Sequence, residues 1–63
     1  MKPIEEIKEN LKEKYQQEMR IANRSSDDYA FALLHKEKAM VYFDCFCMLS
    51  DGTYVQIKEE IER

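Results

Sequence analysis

The sequence carries one group of residues that could bind a metal or do thiol chemistry. Two cysteines flank a single phenylalanine, Cys45-Phe46-Cys47, and the chain has one histidine, His35. On a helix, residues two apart point about 160° away from each other, so the two thiolates could not hold one ion. On a strand they would share a face and His35 could join them, but no recognised zinc spacing supplies a fourth ligand. Free cysteines are commonly small buried apolar residues, so we expect no metal site and no cofactor.

A short basic cluster, His35, Lys36 and Lys38, is a second candidate site. It could bind an anionic small molecule or a nucleotide at an interface between subunits. Alternatively, its side chains pair with Glu37 and with glutamates of the preceding helix, as exposed charges often do. We favour such pairing and keep the anion-binding site as the alternative hypothesis.

Local spacing offers no arrangement typical of an enzyme. The chain has one glycine, which excludes a Gly-rich phosphate loop, and it shows no Ser-His-Asp or Cys-His pattern. A chain of 63 residues also has little room for a water-excluding pocket, except between subunits. We therefore expect a protein that is not an enzyme.

Composition and charge narrow the remaining functions. Residues 1–63 are one domain at most, and at 44% hydrophobic and 37% charged residues they are too apolar for a disordered chain. A net charge of −3 disfavours direct binding to nucleic acid, because nucleic-acid-binding domains usually carry a basic face. The N-terminus lacks a signal peptide's apolar segment, and the apolar run 39–49 is too short to cross a membrane. We expect a cytoplasmic protein with reduced cysteines and no membrane association.

The elements that position these residues are predicted to be helices, because good helix formers are frequent and the chain has one glycine and one proline. Residues 3–23 form an amphipathic helix with a single apolar stripe. The stripe recurs in steps of three and four, at Ile4, Ile7, Leu11, Tyr15, Met19 and Ala22. Asn23 can end this helix in the left-handed conformation. Ser25 or Ser26 can cap the next one, and Ser25 with Asp28 resembles a capping box.

Two interpretations compete for residues 26–50, a stretch without glycine or proline. The first is one long helix. The second ends the helix near Lys38 and places a β-hairpin at 41–57 that turns at Asp51-Gly52. We prefer the helix because no helix-breaking residue marks a change near Lys38, and because Gly52 also suits the end of a helix.

The last segment predicts a short helix. Thr53 is suited to cap it, with Gln56 completing a capping box, and Tyr54, Ile57 and Ile61 would share one side. The predicted fold is therefore all-α, an antiparallel helical hairpin followed by a short C-terminal helix. An α+β fold containing the hairpin described above is the alternative.

The second helix is apolar on two nearly opposite sides. The first side carries Tyr29, Ala32, Leu33, Ala39, Met40, Phe43 and Cys47. The second side carries Ala30 and the seven residues predicted to make the contact, which are Phe31, Leu34, Val41, Tyr42, Cys45, Met48 and Leu49. A helix that is apolar nearly all round is normally buried, yet the first helix has one stripe and can cover only one of these sides.

We therefore predict that the second side is an interface with another chain, most simply a copy of the same chain in a homodimer or higher helical bundle. The expected function is a small protein–protein interaction module, such as a regulator, adaptor or inhibitor, that binds itself and another protein. A dimeric binder of an anionic small molecule or nucleotide is the alternative.

Overall fold

The computed structural model describes residues 3–25 and 27–63, which form three helices. They are α1 (Pro3–Arg24), α2 (Tyr29–Met48) and α3 (Tyr54–Glu62). No strand occurs in the described residues, so the prediction of an all-α fold is confirmed. The alternative β-hairpin at 41–57 is wrong, because its first arm forms the last two turns of α2 and its second arm begins α3.

The end of α1 differs from the prediction at Asn23. This residue is helical, and among the described residues only glycine has a positive φ. The helix ends one residue later, at Arg24, and Ser25 closes it: its hydroxyl donates to the carbonyl of Ile21 at 2.8 Å and its N–H donates to the same carbonyl at 3.1 Å. Asn23 is not needed as a left-handed cap because Ser25 satisfies an end carbonyl of α1 directly.

The cap of α2 is Asp28 rather than a serine. Asp28 has extended backbone angles, and its carboxylate accepts from the N–H of Phe31 at 3.1 Å. The prediction that Ser25 caps α2 is wrong because its hydroxyl is bonded to α1, and Ser26, the other predicted cap, lies outside the described residues. Serine and aspartate are equally good caps, so their order along the chain could not decide between them.

The connection between α2 and α3 is held by local hydrogen bonds. Ser50 donates from its hydroxyl to the carbonyl of Phe46 at 2.7 Å and closes α2. Gly52 follows with φ of 128°. It lies three residues after Leu49, which caps α2, and directly before Thr53, which caps α3, so it belongs to the start of α3 rather than to the end of α2. The predicted capping box of α3 is confirmed: Thr53 Oγ1 accepts from the N–H of Gln56 at 3.2 Å, and Gln56 Oε1 accepts from the N–H of Thr53 at 2.9 Å.

The core lies where the three helices meet. Its buried members are Tyr15, Ala39, Phe43, Phe46, Ile57 and Ile61. Helices α1 and α2 run antiparallel, because Lys8 lies over the Phe46 ring while Tyr15 contacts Phe43. Tyr15 is the one buried residue of α1, with Leu11 and Met19 half-buried beside it. The N-terminal end of the predicted apolar stripe, formed by Ile4 and Ile7, is exposed.

Candidate protein-interaction surface

One side of α2 faces the core. Ala39, Phe43 and Phe46 on this side are 0%, 3% and 1% exposed. Phe43 is enclosed by two rings, Tyr15 of α1 at 5.8 Å and Tyr54 of α3 at 5.6 Å between centroids. Both neighbouring helices therefore pack against the same side of α2.

The opposite side of α2 is exposed, and we call it the outward face. It consists of Phe31, Leu34, Val41, Cys45, Met48 and Leu49. The exposed fractions of its large side chains range from 37% for Leu49 to 84% for Met48. Six of the seven residues predicted for the interface thus lie on this face. The seventh, Tyr42, is half-buried and packs against the core, so it lies at the border of the face.

A second exposed apolar strip, which we call the lateral edge, runs along α2. It consists of Tyr29, Leu33 and Met40, whose exposed fractions are 79%, 41% and 43%. Glu37 and Asp44 project between the lateral edge and the outward face at about 100° per residue, and both are exposed. The sequence predicts these three residues on the side of α2 that α1 covers, whereas in the structure they are exposed. The single apolar stripe of α1 is too narrow to cover the lateral edge. The width of this stripe is the feature of the sequence that indicates an exposed edge.

The predicted basic cluster is divided in the structure. His35 bonds through Nδ1 to Oε2 of Glu18 on α1, and its ring lies 4.4 Å from that of Phe31. Lys36 and Lys38 are exposed and, being two residues apart on a helix, project toward opposite sides. Neither lysine joins an ion pair among residues 3–25 and 27–63. The anion-binding site stays a prediction. In the structure, Lys36 and Lys38 lie on either side of His35, and the His35 imidazole is already bonded to the carboxylate of Glu18.

The two cysteines occupy different surroundings on α2. Cys45 is exposed on the outward face, whereas Cys47 is half-buried against the core. Burial, and secondarily the negative charge of Asp44, raises the pKa of the Cys47 thiol. Within the described residues, no three side chains of the metal-binding types come together.

A shallow groove of about 330 Å³ lies between α1 and the end of α3. Its lining residues are Tyr15, Gln16, Met19, Arg20, Asn23 and Glu62. Two hydrogen bonds cross its floor: the Tyr15 hydroxyl donates to Glu62 at 3.2 Å, and the Gln16 amide donates to the carbonyl of Ile61 at 2.9 Å. Burial, followed by the charge and the hydrogen bond of Glu62, raises the pKa of Tyr15. These contacts fix the end of α3 on α1.

A charge contact with α1 also holds the last turn of α3. Lys8 of α1 reaches Glu60 at 3.3 Å, and its ammonium lies 5.1 Å from the centre of the Phe46 ring. The bonds to α3 and the Glu18–His35 bond are thus made on the core side of the molecule. The outward face takes part in neither set.

Comparison of the chain with protein-family models, with curated proteins and with solved structures finds no match in any of the three. Among the described residues, no helix has both the length and the apolar content needed to span a membrane.

Proposed function

We propose that this chain is a small non-enzymatic protein-interaction module, of the regulator, adaptor or inhibitor kind, that associates with itself through the outward face of α2 in a helical bundle. The observation that supports the proposal is the exposure of this face. Val41 is 59% exposed and Met48 is 84% exposed, on a helix whose other side is buried. Several large apolar side chains exposed along one face of a helix are typical of a protein-binding surface.

The size of the chain supports the same proposal. A domain of about 60 residues buries a smaller share of its surface than a larger one does, so its own core is marginal. The described core has six buried residues, of which Phe46 and Ile61 are the largest that are fully buried. Association adds burial that the single chain lacks, at roughly 25 cal/mol for each Å² of apolar surface removed from water.

The proposed setting is the cytoplasm, where the two cysteines would stay reduced. Both are free thiols in the structure. Another protein that presents an apolar helix would compete for the same face, and this competition is how a regulator or inhibitor of this kind would act.

A matched pair of variants tests the proposal. Val41→Asp places a charge on the outward face, and Met40→Asp places the same charge on the lateral edge, one residue away and similarly exposed. In sedimentation velocity, we expect Val41→Asp to shift the chain toward monomer and Met40→Asp to sediment like the unaltered chain. Far-UV circular dichroism checks that both variants remain helical. Equal sedimentation of the two variants and the unaltered chain would contradict the proposal.

A further inference from the structure

The outward face has the spacing of a coiled coil. Five of its residues, Phe31, Leu34, Val41, Cys45 and Met48, together with the exposed Lys38 between them, recur in alternating steps of three and four. We call these six residues the seam, and all six are exposed. Alternating steps of three and four are the pattern with which one helix packs side chains into the spaces of a second helix. The seam therefore fits a helix rather than a strand or a loop.

We propose, building on the proposed function, that the seam is occupied by α2 of a second copy running antiparallel to the first. The seam has its centre between Ala39 and Met40, and a two-fold axis there gives every seam position a partner with none left over. The pairs are Phe31 with Met48, Leu34 with Cys45, and Lys38 with Val41, each across the axis.

Lys38 determines the direction of the second helix. It is the one charged residue of the seam and lies next to its centre. In a parallel pair in register, Lys38 would meet Lys38 of the second copy, and two like charges would be brought together away from water. In the antiparallel pair the stem of Lys38 lies along Val41 of the second copy, and the ammonium extends to solvent.

The available area fits a reversible dimer. Standard interfaces bury about 800 Å² on each partner, which would be about a sixth of the 4950 Å² surface of this chain. The seam extends over about 26 Å of helix, and a contact of that length between two helices belongs with small, reversible interfaces rather than with large obligate ones. The central lysine weakens the contact further, as a polar residue in a coiled-coil core does.

Two acidic residues beside the seam give the pairing a distinctive response to salt. Glu37 and Asp44 flank the seam on one edge, and the antiparallel register brings Glu37 of one copy close to Asp44 of the other. Salt screens this repulsion, so self-association strengthens as salt is added. If the occupant were instead a helix with basic residues along that edge, added salt would weaken the association. The direction of the salt effect therefore distinguishes a second copy of this chain from a basic partner protein.

Disulfide mapping tests the direction and register. In a Cys47→Ala background, Leu34→Cys introduces a thiol that the antiparallel pair brings against Cys45 of the second copy. We expect oxidised glutathione to give a disulfide between position 34 of one chain and Cys45 of the other, identified by mass spectrometry of tryptic peptides. A Met40→Cys control, with its thiol on the lateral edge, should give no such link. A disulfide joining the two Cys45 residues, or no intermolecular disulfide in a chain that sediments as a dimer, would overturn the antiparallel register while leaving the proposed function intact.

Replacing the central lysine is the second arm of the test. Lys38→Leu should raise the association constant by roughly tenfold, because the seam becomes apolar throughout. An unchanged or lower association constant would contradict the placement of Lys38 against Val41. If the chain does not associate with itself at all, the unaltered chain and Lys38→Leu both sediment as monomers. That result would contradict the proposed function and not only the antiparallel register.

Discussion

His35 of α2 and Glu18 of α1 are joined across the interface of the helical hairpin, Nδ1 of the imidazole donating to Oε2 of the carboxylate. The two residues are 17 positions apart in the sequence, and their side chains are 14% and 16% exposed. Among the described residues this is the one hydrogen bond between side chains of α1 and α2. It fixes the register of the two helices at the end of the molecule farther from α3.

Glu18→Ala should therefore destabilise the fold. The substitution leaves the His35 N–H without its acceptor in a mostly buried position, and we expect the free energy of unfolding to fall by about 1–3 kcal/mol. Urea denaturation measures this change, with Glu13→Ala as a control because Glu13 is exposed on the same helix. If both variants lose the same small amount, the bond between His35 and Glu18 contributes little.

This pair also shows what the sequence could and could not predict. The three helices and the capping box of Thr53 and Gln56 follow from local signals, namely spacing, caps and the scarcity of helix breakers. The partner of His35 could not be predicted, because it depends on the register between two helices. Local signals also failed to show that Tyr29, Leu33 and Met40, on the side predicted to face α1, stay exposed, because the width of a contact between two helices depends on how they pack. They did indicate the outward face, as the surplus that one stripe of α1 cannot cover.

Gly52→Ala should weaken the start of α3. Gly52 has φ of 128°, a conformation that residues with a side chain rarely adopt, and an added Cβ would lie 2.7 Å from Oε1 of Gln56. The Cβ would displace the same oxygen that accepts from the N–H of Thr53. We expect Gly52→Ala to lower the free energy of unfolding by more than Thr53→Ala does, the latter costing about 1 kcal/mol for the lost cap.

Urea denaturation of the two variants provides the comparison, and Val55→Ala is the control because Val55 is 63% exposed. A Gly52→Ala variant as stable as the unaltered chain would contradict the prediction, because it would show that neither the positive φ of Gly52 nor the undisturbed capping box contributes to stability.

Tyr15 should cause the free energy of unfolding to fall at alkaline pH. Its pKa in the folded chain is raised above the ordinary value of 10.0, by burial first and by Glu62 second. Because the folded chain holds the phenol proton more tightly than the unfolded chain, unfolding releases that proton once the pH exceeds the unfolded value. The stability from the neutral phenol is therefore complete below about pH 10 and is lost as the pH rises through the higher folded pKa.

Tyr15→Phe should reduce this alkaline loss, and at neutral pH it should cost about 0.5–1.5 kcal/mol for the hydrogen bond to Glu62. The comparison is made by urea denaturation at neutral pH and above pH 10, with Cys47→Ala in both chains. That background matters because the raised pKa of Cys47 acts in the same direction. An equal alkaline loss with and without the Tyr15 hydroxyl would contradict the prediction.

The association of α2 through its outward face is tested most directly by the mass of the unaltered chain in solution. Sedimentation equilibrium from about 1 μM to about 1 mM covers the range expected for a reversible dimer. We predict that the average mass rises with concentration from the 7.6 kDa of one chain toward twice that value, and that added salt strengthens the rise. A folded, helical chain that stays at 7.6 kDa throughout that range would contradict it.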